Sequence, residues 1–172
     1  MTHSLSLDFG IRIVLIGLGA TAVLDLWLLL LNRLGVATQP FALIGRWVGH
    51  LWRGRVHHPA IAKAETIQGE ALLGWLTHYA VGVVFAVLLA GAVDPQWMNA
   101  PTLLPAFALG VATVLAPFCL MQPAMGAGFA ASKTPTPWKN RLKSLANHAV
   151  FGLGLFVSAL ALQQLAPLFP QS

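Results

Sequence analysis

The sequence predicts an all-α membrane protein with four transmembrane helices, and three observations lead to this fold class. Hydrophobic residues make up 57% of the chain and charged residues only 9%, too few polar groups to cover a globule in water. Four apolar segments reach the ~20 residues that a helix needs to cross the hydrocarbon core. These segments are continuous rather than alternating apolar with polar, which argues against a β-barrel.

The apolar segments set the expected helix boundaries within a single domain, residues 1–172. Transmembrane helices are predicted at about 11–34, 70–93, 102–122 and 141–168. Pro117 lies inside the third of them and is expected to kink it, since proline removes a backbone donor. A shorter amphipathic helix is predicted at about 40–53, in the long first connection.

The basic residues predict how the chain is oriented. Nine of the ten Lys and Arg residues lie in or beside the first and third connections, and the second connection has none. With four spans, the first and third connections share one side of the membrane. The positive-inside rule makes that side cytoplasmic, so both termini are expected on the periplasmic or extracellular side.

The helix at 40–53 has an apolar face and a face that carries Arg46 and Arg53. This pattern is typical of a helix lying on anionic lipid. Arg46, Arg53 and Arg55 are therefore predicted to contact lipid headgroups on the cytoplasmic side. A basic surface of this kind follows from membrane topology, so no nucleic-acid partner is expected.

The same connection contains weak candidates for metal ligands, since imidazoles and carboxylates both bind zinc. The spacing of these residues matches no zinc signature, so no metal site is predicted. The candidates are His50, His57 and His58, with Glu65 and Glu70 as possible carboxylate ligands.

Four polar side chains within the spans form the candidate intramembrane site: Asp25, His78, His148 and Gln122. The first three each lie seven or eight residues from a charged residue at the end of the helix, which puts them at one depth, ~11 to 12 Å from the cytoplasmic edge. A carboxylate in hydrocarbon costs about 2.5 to 3.5 kcal/mol. Asp25 is therefore expected to face other helices and to be paired or protonated.

The two histidine helices repeat one pattern, a small residue four positions before the histidine and a glycine four positions after it. Small residues let helices approach closely, so these positions are predicted to be close-packing sites. Helices one and three also align from Gly19 and Gly110, which suggests two repeated helical hairpins about a pseudo-two-fold axis. The close-packing positions are Gly74, Gly82, Ser144 and Gly152.

Three functions remain open for the polar site. The first is proton-linked handling of a small solute or ion, because intramembrane ionisable residues mark such pathways. The second is a redox module, in which His78 and His148 hold haem b or one histidine joins Cys119 and nearby methionines around copper. In the third, the cluster only joins helices in an accessory subunit. No nucleophile and base motif is present, so the sequence favours a non-enzymatic role. A homodimer is also plausible, since two spans per repeat make a narrow pathway.

Several segments resemble a bacterial membrane family known as domain of unknown function 2938, and the resemblance covers nearly the whole chain. They include Gly45-Arg46-Trp47-Val48-Gly49-His50, His78-Tyr79, and Met121-Gln122-Pro123-Ala124-Met125-Gly126. The resemblance implies a small four-helix protein of the bacterial inner membrane. It implies no activity, so the functional hypotheses rest on the polar site.

Overall fold

A computed structural model describes residues 2–165 of the chain, and the side chains from residue 8 onward. This part of the chain is helical and contains no strand. The α-helices are α1 (Thr2–Arg33), α2 (Phe41–Leu51), α3 (Glu70–Ala92), α4 (Leu103–Ala112), α5 (Gln122–Ala124) and α6 (Pro137–Leu165). Short 3-10 helices at Ile61–Lys63, Pro95–Asn99 and Phe129–Ala131 lie in the three connections.

Four helical segments are long and apolar enough to cross a membrane, which confirms the predicted fold class. They are Asp8–Arg33, Glu70–Ala92, Leu103–Ala124 and Pro137–Leu165. The first helix begins nine residues earlier than predicted, at residue 2 rather than about residue 11. The predicted end of the last helix, residues 166–168, lies outside the described residues.

The third span is not one regular helix, because Pro117 interrupts it. Proline has no N–H to donate to the carbonyl of Thr113, and that carbonyl instead accepts the N–H of Ala116 at 3.1 Å. A π-helical turn at Pro117–Met121 follows and leads into α5. The predicted kink is therefore present as a tightened turn followed by a widened one.

Helix packing places α1 between α3 and α6, and α6 between α1 and α4, while α3 and α4 touch little. Glycines allow two of these crossings. A Cβ on Gly82 would overlap the hydroxyl of Thr21 on α1, and a Cβ on Gly110 would overlap the backbone of Gly152 on α6. Both crossings bring helix backbones closer than any side chain would allow.

The first and third connections pack together at one end of the helices. The N–H of His58 donates to the carbonyl of Ala124 at 2.8 Å, and the N–H of Ile61 donates to the carbonyl of Met125 at 3.0 Å. Gly126 adopts a φ of 96° there, and a Cβ on it would overlap the carbonyl of Pro59. The two basic segments of the sequence thus form one layer.

The amphipathic helix α2 is present, but its polar face points into the protein. The buried residues of α2 are Gly45, Arg46, Gly49 and His50. A Cβ on Gly45 would overlap the carbonyl of Glu70, so α2 lies directly against the start of α3. The two glycines, four residues apart, let α2 approach α3 and bury the polar face.

The burial of Arg46 contradicts the prediction that this residue meets lipid headgroups. Its guanidinium binds both carboxylate oxygens of Glu70 at 2.8 Å. A third nitrogen donates to the carbonyls of Ala62 and Ala64 at 3.1 and 3.2 Å. The hydrogen bond with Glu70 raises the pKa of Arg46 above its ordinary value. Arg46 joins α2 to α3 and leaves Glu70 unable to serve as a metal ligand.

Candidate functional site

Asp25 is bound through both of its carboxylate oxygens by adjacent residues of α3. His78 Nε2 lies 2.9 Å from Oδ1, and the hydroxyl of Tyr79 donates to Oδ2 at 2.8 Å. The side chains of His78 and Asp25 are 13% and 20% exposed. Two donors replace the hydration that a carboxylate loses inside a helix bundle, which is how such a group is tolerated there.

The other side of His78 is covered by an aromatic ring from α2. Phe41 stacks on the imidazole with ring centroids 4.2 Å apart and an interplanar angle of 30°. Phe41 is the first residue of α2, and its carbonyl fills the space that a Cβ on Gly74 would need. The Gly74 position thus serves the contact between α3 and α2, and that contact holds the His78 ring in place.

His148 has a different partner from His78. Its Nδ1 lies 2.8 Å from the hydroxyl of Thr113, at the end of α4. The Thr113 hydroxyl also contacts the carbonyl of Gly110. Within the described part of the chain, His148 makes no hydrogen bond to Asp25 or His78. The polar groups that were expected to meet therefore form two separate pairs.

A cavity of about 460 Å³ brings the two histidines to one space, since both rings line it. Its walls come from α1, α2, α3, the π turn, α5 and α6 and from the first and third connections. Apolar side chains including Leu24, Leu28 and Phe41 form part of the lining. The polar lining consists of Thr38, Gln39, Gln122, Thr134, Asn140, Lys143, Ser144 and Asn147 as well as the two histidines.

Gln122 and Ser144 face each other across this cavity. The Nε2 of Gln122 donates to the hydroxyl of Ser144 at 3.4 Å. The Oε1 of Gln122 is buried and has no hydrogen-bond partner among the described residues. Ser144 therefore lines the cavity instead of allowing a close helix contact, unlike Gly152.

The geometry around the two histidines does not suit a haem. Nε2 is the usual axial ligand, with Nδ1 donating to an outer partner. In His78 the Nε2 atom is engaged by Asp25, and Phe41 stacks on the ring. Within residues 8–165, no group of three or more His, Cys, Asp or Glu side chains could hold a metal ion. The arrangement fits a hydrogen-bonding site.

The other predicted residues lie in the first connection, around a second cavity of about 380 Å³. His50, Arg55, His57 and His58 line this cavity, whereas Arg53 does not. Arg53 pairs with Glu65 at 3.8 Å. Burial lowers the pKa of His58, and the neighbouring His50, Arg55 and His57 lower it further.

Two partners of the predicted site residues, and one further residue of the cavity lining, were missed in the sequence. Tyr79 follows His78 directly, and a second polar side chain at this point of an apolar helix was the feature that could have identified it. Thr113 lies one turn before Pro117 on the broken span. Asn147 accepts a hydrogen bond from Trp27 Nε1 at 3.0 Å. Its neighbour His148 was predicted as a site residue, and Asn147 was not.

The fold and this site define an all-helical protein with four helices long and apolar enough to cross a membrane and with a paired carboxylate and imidazole between two of them. The chain belongs to the family described as protein of unknown function (DUF2938), whose profile matches residues 14–162. This match confirms the resemblance seen in the sequence. No curated protein and no solved structure matches the chain.

Proposed function

We propose that this protein is a bacterial inner-membrane protein that binds a small polar solute in the 460 Å³ cavity and couples binding to proton transfer through Asp25 and His78. One observation carries the proposal: His78 binds the carboxylate of Asp25 and also lines the cavity. A proton that arrives at this pair therefore changes the charge at the wall of the binding space.

The lining of the cavity indicates the chemistry of the solute. Amide and hydroxyl groups dominate its polar part, and Lys143 is the lysine among the lining residues. The unpartnered Oε1 of Gln122 offers an acceptor to a donor group of the solute. Leucines of α1 line the same space. A small solute with hydrogen-bonding groups at one end and an apolar portion at the other fits this lining.

The haem alternative has less support, although both histidines line one cavity. A haem ligated by His78 would have to displace Asp25 from Nε2 and Phe41 from the ring. An absorption spectrum of the protein purified in mild detergent tests this alternative. A Soret band that disappears in both His78→Ala and His148→Ala would replace the solute proposal with a redox module.

The proton-coupled site is tested with Asp25→Asn, which keeps the size of the side chain and removes its charge. Thermal stabilisation of the purified protein would be screened with amino acids, short organic acids and sugars at pH 6 and pH 8. For a stabilising solute, proton uptake on binding would then be measured in weakly buffered detergent solution. We expect uptake in the unchanged protein and none in Asp25→Asn, because the substitution removes the carboxylate that would stabilise a proton on His78.

Thr113→Val is the matched control, since it alters the other histidine pair, and it should retain proton uptake. Asn147→Leu should weaken solute binding because it removes an amide from the cavity. If Asp25→Asn fails to accumulate as folded protein, the pair is structural and the accessory-subunit reading replaces this one.

The proposed orientation places both basic connections in the cytoplasm and both termini outside, on the basis of the positive-inside rule. Reporter fusions within Pro95–Asn99 and after Gly54 test it. The first fusion should report a periplasmic site and the second a cytoplasmic site. The opposite result would reverse the side from which a solute reaches the cavity.

A further inference from the structure

A second cavity, of about 380 Å³, lies where the end of α2 meets the 3-10 helix Ile61–Lys63. It is separate from the cavity of the proposed solute site, and the two share no lining residue. The side chains of its wall that carry charge or titrate are His50, Arg55, His57, His58, Lys63 and Glu65.

Two imidazoles of this wall have ring nitrogens that bind nothing within residues 8–165. His50 is 1% exposed. Its Nε2 lies 2.9 Å from the carbonyl of Glu65 and therefore carries the hydrogen, which leaves Nδ1 without a partner. Both ring nitrogens of His58 are buried and unpartnered, and the two ring centroids are 4.8 Å apart. Buried polar atoms without partners are rare in folded proteins and call for an explanation.

The charges around these rings are mostly positive. Arg55 and Lys63 form no ion pair within the described part of the chain, whereas the carboxylate of Glu65 pairs with Arg53 at 3.8 Å. Burial lowers the pKa of His58, and the neighbouring His50, Arg55 and His57 lower it further. A cation would be repelled from this space, and the described side chains offer no set of three metal ligands.

We propose that this cavity binds a phosphate group through the imidazoles of His50 and His58 and the side chains of Arg55 and Lys63. A phosphate carries up to two charges and several acceptor oxygens, which suit an arginine, a lysine and an imidazole N–H together. Over the pH range in which it gives up its second proton, it also keeps at least one O–H. That O–H can donate to the bare Nδ1 of His50, which sulfate at the same pH cannot do.

The phosphate group has two possible sources, a soluble phosphate or the headgroup of an anionic phospholipid. Both offer the same oxygens to the cavity. The site is independent of the proposed solute site. It gives the first connection a binding role in addition to its proposed role in orienting the chain in the membrane.

The test follows the histidine ring nitrogens by NMR in the full-length, ¹⁵N-labelled protein in detergent at pH 6.5. Sodium phosphate and sodium sulfate are titrated separately at matched ionic strength. We expect a saturable shift of the His50 and His58 resonances with phosphate and a weaker one with sulfate. Arg55→Gln and Lys63→Gln should each weaken the apparent affinity about tenfold, as expected for the loss of a charge-assisted hydrogen bond.

Arg53→Gln is the matched control, because Arg53 is an exposed arginine two residues from Arg55 that does not line the cavity. It should change the affinity less than about twofold, since exposed pairs contribute little.

The source is identified in nanodiscs of phosphatidylcholine with or without phosphatidic acid. A shift with free phosphate identifies a soluble ligand, and a shift only with phosphatidic acid identifies a headgroup; either supports the site. The proposal is overturned if neither shifts the two histidines, or if Arg53→Gln weakens binding as much as Arg55→Gln, which indicates screening alone. It is also overturned if Zn²⁺ saturates both histidines while phosphate has no effect.

Discussion

His78 on α3 and His148 on α6 lie in helices with the same spacing of small residues, but they have different partners. His78 binds a carboxylate that also accepts the hydroxyl of Tyr79. Among the described residues, His148 has the hydroxyl of Thr113 as its hydrogen-bond partner. Both rings reach one cavity. The repeated pattern therefore sets the position of each imidazole along its helix. It does not set the hydrogen-bond partner of that imidazole.

The difference arises from single positions in the helices opposite the histidines. When Gly19 of α1 is aligned with Gly110 of α4, Asp25 aligns with Ala116 and Ala22 aligns with Thr113. The second hairpin therefore has no carboxylate at the level of its histidine, and a threonine one turn away takes its place. Hydrogen bonds to charged groups are stronger than those between neutral groups, so the two pairs should differ in strength.

Helix packing differs between the hairpins as well. A two-fold axis relating them would require α3 and α4 to contact each other as extensively as α1 and α6 do. The contact of α1 with α6 is extensive, and that of α3 with α4 is small. The helix contacts therefore lack the predicted pseudo-two-fold symmetry. The cavity occupies the better packed side, where Trp27 of α1 binds Asn147 of α6.

The largest difference between the hairpins is expected at their glycine crossings. Gly110→Ala should reduce the free energy of unfolding by about 3 kcal/mol, the upper end for overpacking, because the backbone of Gly152 occupies the place of the new methyl group. Gly82→Ala should cost about 1 kcal/mol, because the Thr21 side chain that it meets can rotate. Unfolding in mixed detergent and SDS micelles measures both.

Gly91→Ala controls for helix propensity, since a Cβ on Gly91 would meet nothing within 4 Å. It should leave the protein unchanged or slightly more stable. Equal losses for Gly110→Ala and Gly82→Ala would mean that the two crossings are equivalent, contrary to the comparison.

A smaller difference is expected when the hydroxyl partners of the two sites are removed. Tyr79→Phe deletes a hydrogen bond to a carboxylate and should cost about 1.5 to 3 kcal/mol. Thr113→Val deletes a hydrogen bond between neutral groups and should cost about 0.5 to 1.5 kcal/mol. Each change keeps the shape of the side chain nearly constant, and the same unfolding assay compares them. A larger loss for Thr113→Val would contradict the expectation that the hydroxyl bound to a carboxylate contributes more than the hydroxyl bound to a neutral imidazole.

The sequence predicted the spans well because the bilayer demands one property, about twenty apolar residues, that can be counted along the chain. It also grouped Asp25 with His78 and His148 at one depth and predicted that Asp25 is paired or protonated, since a carboxylate between apolar helices needs a nearby partner. The depth argument could not assign His148. Residues at one depth can lie on different sides of a bundle. The rotation of each helix about its axis depends on packing between helices, which the residue spacing along one helix does not specify.

The orientation of α2 shows a second limit. The charged face of the helix was predicted to meet headgroups, because an apolar face opposite a basic face is typical of a helix lying on anionic lipid. The partner of Arg46, Glu70, lies 24 positions away. Gly45 and Gly49 on the same face were a signal of close helix packing. The charges on α2 predicted contact with headgroups, whereas its glycines indicated contact with another helix. For Arg46, the contact within the protein is the one present.

The smallest effect is expected at His58, which belongs to neither the His78–Asp25 pair nor the His148–Thr113 pair. Substituting His58 tests whether the loss of stability at acid pH arises from the paired histidines or from the first connection. The pKa of His58 is lowered in the folded protein by burial and by its positive neighbours. Between that value and the ordinary pKa of about 6.5, the unfolded chain binds more protons than the folded one. Stability is therefore full above about pH 6.5 and declines as the pH falls below it.

His58→Gln should reduce the decrease in thermal midpoint between pH 7.5 and pH 5.5, because the residue that resists protonation is gone. His57→Gln, a change at the exposed neighbour, should leave that decrease nearly intact. Thermal unfolding of all three proteins in one detergent at both pH values measures it. If the decrease is the same in all three, acid sensitivity arises elsewhere, and the same measurement on Tyr79→Phe and Thr113→Val would then show which of the two histidine pairs responds to protons.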